Sequence, residues 1–426
     1  MNVGTTLRIQ IPHLNLAGGG ADMRTRLLTW NWRTRLPPKT TDLELDFSEN
    51  KFIEPWALAQ FTAYGLLIRE THQIPVRANL SPRNPANVYV EQMGLNHVLS
   101  SGNSTPHWDH SQQNTGLHVI RTHQDVLRFV DSAVQLGAGP NDETMDALRY
   151  GMAELGRNVV QHSSSSIGGV AIAQYFPDRK AIQISVCDVG RGILASLSHS
   201  YPEVKTNLEA VKLAVLPHVS GAFQEGSYSA SDNAGLGLFF SKEICWRAGG
   251  SFWIASHSTL MGVTGNDDAG QNRNYKKIEK WHGTSVTMDL PAQGVNDFSN
   301  LLHVCRSLAA SARESSGNAG LDFLLEIPEF DQIVNITVST FIENVEEAKR
   351  VRTGIILPAI EVGEMVVLDF AGVRFATQSF IHALLNDAFR VPGSLCRLSF
   401  LHCTKSTEEA IRAVAAYAAS YRQCIK

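Results

Sequence analysis

Apolar and polar positions follow two rhythms along this chain, and each change of rhythm predicts a new element. A period of two marks strands at LRIQI (7–11), DLELDF (42–47), PVRANL (75–80) and AIQISVCD (181–188). The same signal recurs at FWIAS (252–256), SVTMDL (285–290), QIVNITVS (332–339), MVVLDF (365–370) and RLSFLH (397–402). Between them, spacings of three and four predict helices over 55–72, 123–136, 238–248, 298–313, 341–356 and 379–390. A closing helix is expected to be capped at Ser406, with Glu409 three residues on. Strands alternating with helices predict an α/β protein.

Residues 147–162, ALRYGMAELGRNVVQH, stand out within this pattern. Leu148, Met152, Leu155 and Val159 mark one buried helix face, and Asn141 or Asp142 can cap the helix. On another face Glu154, Asn158 and His162 recur every four residues, which stacks a carboxylate, an amide and an imidazole in one row. Later come Asp188-Val-Gly190-Arg-Gly192 at a strand end and Asn233-Ala-Gly235-Leu236-Gly237-Leu at a helix start. Gly283-Thr284 precedes a further strand.

ExxxN, DxGxG, GLGL and GT in this order resemble the N, G1, G2 and G3 boxes of the GHKL ATP-binding fold of gyrase, MutL, sensor histidine kinases and anti-sigma-factor serine kinases. The resemblance implies a central Bergerat-type domain over 117–292 that binds ATP with Mg²⁺. It makes Asn158 the metal ligand and Glu154 the general base for a water at the γ-phosphate. It also makes Asp188 the acceptor for the adenine amino group, supported by Thr284. Gly190 and Gly192 would admit the base, and Gly235, Leu236 and Gly237 would lead into a helix whose free N–H groups face phosphate. His162 and Asn233 complete the expected nucleotide-binding set. The motifs place no Lys or Arg on the γ-phosphate; Lys242, one turn into the helix that follows Gly237, is a candidate. The stretch 225–235, EGSYSASDNAG, matches the position of the family's ATP lid.

An internal repeat is the second signal. Leu45-Asp46-Phe47 with Lys51-Phe52 matches Leu368-Asp369-Phe370 with Arg374-Phe375. This strand–Asp–loop–helix unit resembles STAS-like domains, implying one over 326–426 and a more diverged one over 1–110, with a linker helix and loop at 293–325. In the anti-sigma-factor system the helix start after that Asp carries the phosphoacceptor, which makes Thr377 and Ser379 candidates here. The first copy has Glu54, Pro55 and Trp56 at that place. A hydroxyl at a helix start is equally an ordinary cap.

Bulk properties narrow the function further. A chain of 426 residues holds more than one core, and 43% hydrophobic with 18% charged residues is a globular balance. A net charge of −4 offers no electrostatic footprint for nucleic acid, which argues against a gyrase-like or MutL-like DNA machine. No apolar run is long enough to span a bilayer. The six cysteines (Cys187, Cys245, Cys305, Cys396, Cys403, Cys424) are scattered, which points to a reducing cytoplasm. His118 and His123 are expected on the helix before the central domain, outside the sequence setting of a histidine-kinase phosphoacceptor. The expectation is an enzyme that hydrolyses ATP or phosphorylates a protein Ser/Thr, with an ATP-controlled switch of little turnover as the alternative. Another STAS-like or regulatory protein is the expected partner, and a homodimer stays open.

Overall fold

The structure is a computed structural model. It describes residues 5–11, 32, 34–106, 113–137, 139–202, 204–217, 219–221, 235–265, 273–311, 321–324, 333–391, 394 and 397–424. The chain is mixed α/β and divides into two compact units, Met1–Ala214 with Cys245–Asn296, and Val215–Ile244 with Asp297–Lys426.

In the first unit, strands β1 (Thr5–Gln10), β2 (Thr40–Asp46) and β3 (Val76–Asn79) form a parallel sheet in the order β1-β2-β3. Helix α1 (Pro55–His72) crosses from β2 to β3, and short helices α2 (Pro85–Gln92) and α3 (Leu95–Ser101) follow. Next come β4 (His118–Ile120), α4 (His123–Asp131), α5 (Asp142–His162), β5 (Gly169–Phe176) and β6 (Ala181–Asp188). Helices α6 (Gly192–Leu197) and α7 (Asn207–Ala214) follow, and after α8 (Gly237–Arg247), whose residues up to Ile244 belong to the second unit, come β7 (Ser251–Thr264) and β8 (Arg273–Pro291). Strands β4 to β8 build an antiparallel five-stranded sheet in the order β4-β5-β6-β8-β7.

Both faces of that sheet are covered, and the alternation along β6 explains how. Ile184 stands opposite Met288 on β8, and a Cβ on Gly151 of α5 would come within 2.8 Å of the Met288 side chain, so this face receives α5. Gln183, Ser185 and Cys187 point the other way, toward α1. There Gln183 Oε1 accepts the Trp56 N–H at 3.1 Å, and Gln60 Nε2 donates to Ser285 Oγ at 3.0 Å. Every residue of α1 from Pro55 to Leu66 is buried. A helix apolar on all sides needs cover on all sides. It packs on β3 and on β5 and β6, which places it between the two sheets.

The second unit holds helix α9 (Phe298–Ser311), β9 (Asp322–Leu324), β10 (Ile333–Thr337), α10 (Val345–Val351), α11 (Leu357–Val362) and β11 (Met365–Asp369). It closes with α12 (Gln378–Arg390), β12 (Leu398–Leu401) and α13 (Lys405–Cys424). The sheet is parallel, in the order β10-β11-β12-β9. Its core joins Leu368, Phe370, Phe380, Leu384, Phe400 and Ile411.

Four local findings refine the sequence reading. Asn141, not Asp142, caps α5, its side chain accepting the Thr144 N–H at 2.7 Å. His118 lies on β4 rather than on a helix, because α4 starts only after the Thr122 capping box. Thr404 rather than Ser406 caps α13, with Thr404 Oγ1 accepting the Thr407 N–H at 3.2 Å. Ser406 is instead fully buried, and its carbonyl and hydroxyl receive the Arg306 guanidinium from α9. That contact, with Arg306 Nη2 donating to Ala376 O at 3.2 Å, packs the helix expected in a linker into the second unit. No helix among the described residues is long and apolar enough to cross a membrane.

Candidate functional site

The polar row on α5 is organised unevenly. Glu154 is 2% exposed, and its Oε1 takes a 2.9 Å hydrogen bond from Arg157 Nη2, itself 2% exposed. Arg157 was not singled out from sequence, although a spacing of three on a helix is the local signal for such a pair. Asn158 is half-buried, and its buried Nδ2 has no hydrogen-bond partner among the described residues. Burial, reinforced by the Arg191 cation, pushes the His162 imidazole down to about 4, so the ring is neutral near pH 7.

The C-terminal end of α5 meets the turn that follows β6. Arg191 N–H donates to Ser163 O at 2.8 Å, and Arg191 Nε donates to His162 O at 2.9 Å. Gly190 lies so close to Ser163 O that a Cβ would stand 1.9 Å from it. Gly192, at φ +74°, would put a Cβ 2.4 Å from His257 Nε2. Only glycine fits these two positions.

Asp188 sits at the centre, 6% exposed at the end of β6. Its Oδ1 accepts the Gly190 N–H at 2.8 Å, and the Thr284 backbone N–H also reaches the carboxylate. Burial outweighs both donors and pushes its carboxyl up to about 7. Gly283, at φ +96°, packs its Cα side against Asp188 O, where a Cβ would stand 2.4 Å away. Trp281 Nε1 donates to the same carbonyl at 3.2 Å.

One side chain ties the two glycine turns together, and nothing local in the sequence announces it. Ser256 is 1% exposed; its Oγ accepts the Ile193 N–H at 3.0 Å and donates to Gly283 O at 3.1 Å. The register of β7 on β8 shifts just after Ser256, and this bulge turns His257 onto Arg191 O at 3.0 Å. The structure therefore brings together His162, Asp188, Gly190, Gly192 and Thr284, through Ser163, Ser256 and Gly283, while Asn158 lies one turn before His162 on α5.

The other expected residues belong to the second unit or lie outside the described residues. Gly235, at φ +63°, packs against the Val219 backbone in the second unit, Leu236 is buried, and Gly237 opens α8. Lys242 is 1% exposed and pairs with Glu243 at 3.0 Å. Asn233 and most of the 225–235 stretch lie outside the described residues. Thr377 caps α12 and is fully buried; its hydroxyl donates to Glu343 Oε2 at 2.7 Å while accepting the Phe380 N–H. Ser379 is 7% exposed.

The repeat is visible in three dimensions. Asp46 and Asp369 end the central strands of their parallel sheets, and each carboxylate accepts the N–H two residues on, Ser48 at 3.0 Å and Ala371 at 2.8 Å. Glu54 and Thr377 occupy equivalent caps of the following helices. No curated protein matches the chain. Residues 347–408 match the family described as a STAS-like domain of unknown function (DUF4325). The chain thus carries a C-terminal STAS-like domain, with β11, α12 and β12 as its centre.

Proposed function

We propose that the Asp188 turn and the C-terminal half of α5 form a GHKL-type site for a magnesium-bound adenine nucleotide. The protein would use it to hydrolyse ATP or to phosphorylate a protein Ser/Thr in a regulatory role. One observation carries the reading. A buried carboxylate, Asp188, packs against Gly190 and Gly283, where any Cβ would stand 3.0 Å or closer to Asp188 atoms. Glycines at these positions leave no side chain over the carboxylate, which keeps acceptor capacity for a ligand's amino group. Thr284 joins through its N–H, and His162 closes the row as a neutral ring.

The amide oxygen of Asn158 is a neutral donor of the kind a hard cation takes, while its buried Nδ2, without a partner among the described residues, would donate to an acceptor such as a phosphate oxygen. When bound, Mg²⁺ would supply charge neutralisation to the phosphates. Glu154 is the group on this face able to take a proton from an attacking water. By the sequence resemblance alone, Asn233, Gly235, Leu236 and Gly237 stay phosphate-side candidates, with Asn233 outside the described residues. Thr377 and Ser379, the acceptors the resemblance implies, are both buried, and the Thr377 hydroxyl is already bonded to Glu343.

The pairing of Glu154 with Arg157 favours a second reading, a nucleotide-controlled switch with little turnover. One carboxylate oxygen already engaged by a guanidinium is a poorer proton acceptor, and population shift needs no chemistry. Calorimetric titration with a non-hydrolysable ATP analogue tests the core proposal. Magnesium-dependent binding that Asp188→Ala abolishes supports it, and absent binding in the wild type ends it. ATP turnover lost in Glu154→Ala marks an enzyme, whereas background turnover with intact binding marks a switch.

A further inference from the structure

We propose that His402 is a phosphoryl-accepting nucleophile on the STAS-like domain, its Nε2 presented to solvent by Asp369. The site stands at the carboxyl ends of β11 and β12, the edge where parallel sheets leave room for ligands. His402 Nδ1 lies 2.8 Å from Asp369 Oδ1, and the same oxygen accepts the Ala371 N–H at 2.8 Å. A carboxylate only accepts, so Nδ1 carries the hydrogen and Nε2 of the neutral ring keeps its lone pair. The His402 side chain is 47% exposed. Its φ of +53° is a costly backbone state for a residue with a side chain, and it is adopted where the strand leaves the sheet beside Asp369. Two residues on, Thr404 caps the long helix α13, whose N-terminal end favours an anion nearby.

The first copy of the repeat shows what is particular here. Asp46 is 4% exposed and takes its second hydrogen bond from Asn79 Nδ2 at 3.0 Å. An amide in that place is no nucleophile. The hydroxyl of Thr377 in the same domain as His402 is enclosed beside Glu343, which would repel an incoming phosphate.

The chemistry balances without an added base. The Nε2 lone pair forms the P–N bond as the bond from phosphorus to the leaving atom breaks, and that electron pair departs with the leaving group. The Nδ1 hydrogen stays on the ring, and Asp369 offsets the resulting positive charge. Phosphoramidate, which releases ammonia, and the γ-phosphoryl of ATP, which releases ADP, are two donors of the required class.

Incubation of the full chain with phosphoramidate, followed by site mapping by mass spectrometry at neutral pH, tests the acceptor independently of any nucleotide site. His402 should label about tenfold faster than the exposed His199, and Asp369→Asn should remove that advantage. The side-chain carbonyl introduced by Asp369→Asn would still accept the Ala371 N–H, so the turn is kept; His402→Asn, which mirrors Asn79, should abolish the label. Labelling of His402 no faster than His199, or indifference to Asp369→Asn, overturns the proposal. A parallel arm with Mg·ATP separates the sources. An ATP-derived label that Asp188→Ala removes identifies the nucleotide site as donor. Phosphoramidate labelling without an ATP-derived label keeps His402 as acceptor and rejects that donor, while nucleotide binding is judged separately by titration.

Discussion

The two copies of the strand–Asp–helix repeat began as the same local unit and ended in different company. In the C-terminal copy, α12 packs within its own domain, and its cap Thr377 answers to Glu343 of that domain. In the first copy, α1 lies against a second sheet, and its cap Glu54 binds Arg179 Nη1 at 2.9 Å across that border. Glu54 Oε2 also accepts Trp56 Nε1 at 2.6 Å. Trp56 is buried at the position where the C-terminal copy has Ser379. The lesson is that a shared backbone motif does not set a role. At the helix start, Glu54 bonds across to the β5–β6 turn of another sheet, where Thr377 bonds within its own unit.

Substitutions at those positions should separate the copies by size of effect. Trp56→Ser removes a large buried ring between two sheets and is expected to cost about 4 kcal/mol, read as a lower urea midpoint. The matching Ser379→Ala should cost well under that, so equal losses would break the contrast between the copies. Glu54→Ala should cost about 2 kcal/mol by stranding the Trp56 indole N–H and the half-exposed Arg179. Thr377→Ala is expected to lose about 1 kcal/mol, the usual worth of a helix cap.

Acid and base titration probe the proposed site in the same unit as α1. The Asp188 carboxyl, raised to about 7 by burial, stabilises the fold fully only below its unfolded value and loses that contribution as pH rises through 7. Asp188→Asn does not titrate there, so from pH 5 to pH 8 it should gain on the order of 2 kcal/mol relative to wild type. Thermal melts at the two pH values check the sign. His162 and His118 are both depressed to about 4, so each contributes above its unfolded value near 6.5 and loses that contribution as pH falls toward 4. Replacing His162 by Gln should therefore flatten the loss of melting temperature between pH 6.5 and 4.

How much of the site could be read in advance follows from how local each signal is. Glu154, Asn158 and His162 form a row because a helix repeats every 3.6 residues, and that period is written in the sequence. The need for glycine at 190 and 192 was legible as a motif, though its cause, the Ser163 carbonyl and the His257 ring, was not. Ser256 was silent because its two partners, Ile193 and Gly283, lie far along the chain on either side of it. The pairing of Glu154 with Arg157 was within reach, but its burial was not.

Periodicity, caps and the repeated Leu-Asp-Phe were determined by the sequence itself, since each rests on neighbours within a few residues. Tertiary structure alone decided that α1 would be shared between two sheets, that Asp188 would be enclosed, and that Asp369 would meet a histidine where Asp46 meets an asparagine. Those outcomes depend on strand register and on packing between distant segments. Propensity along the chain carries no record of which far residue will fill the space.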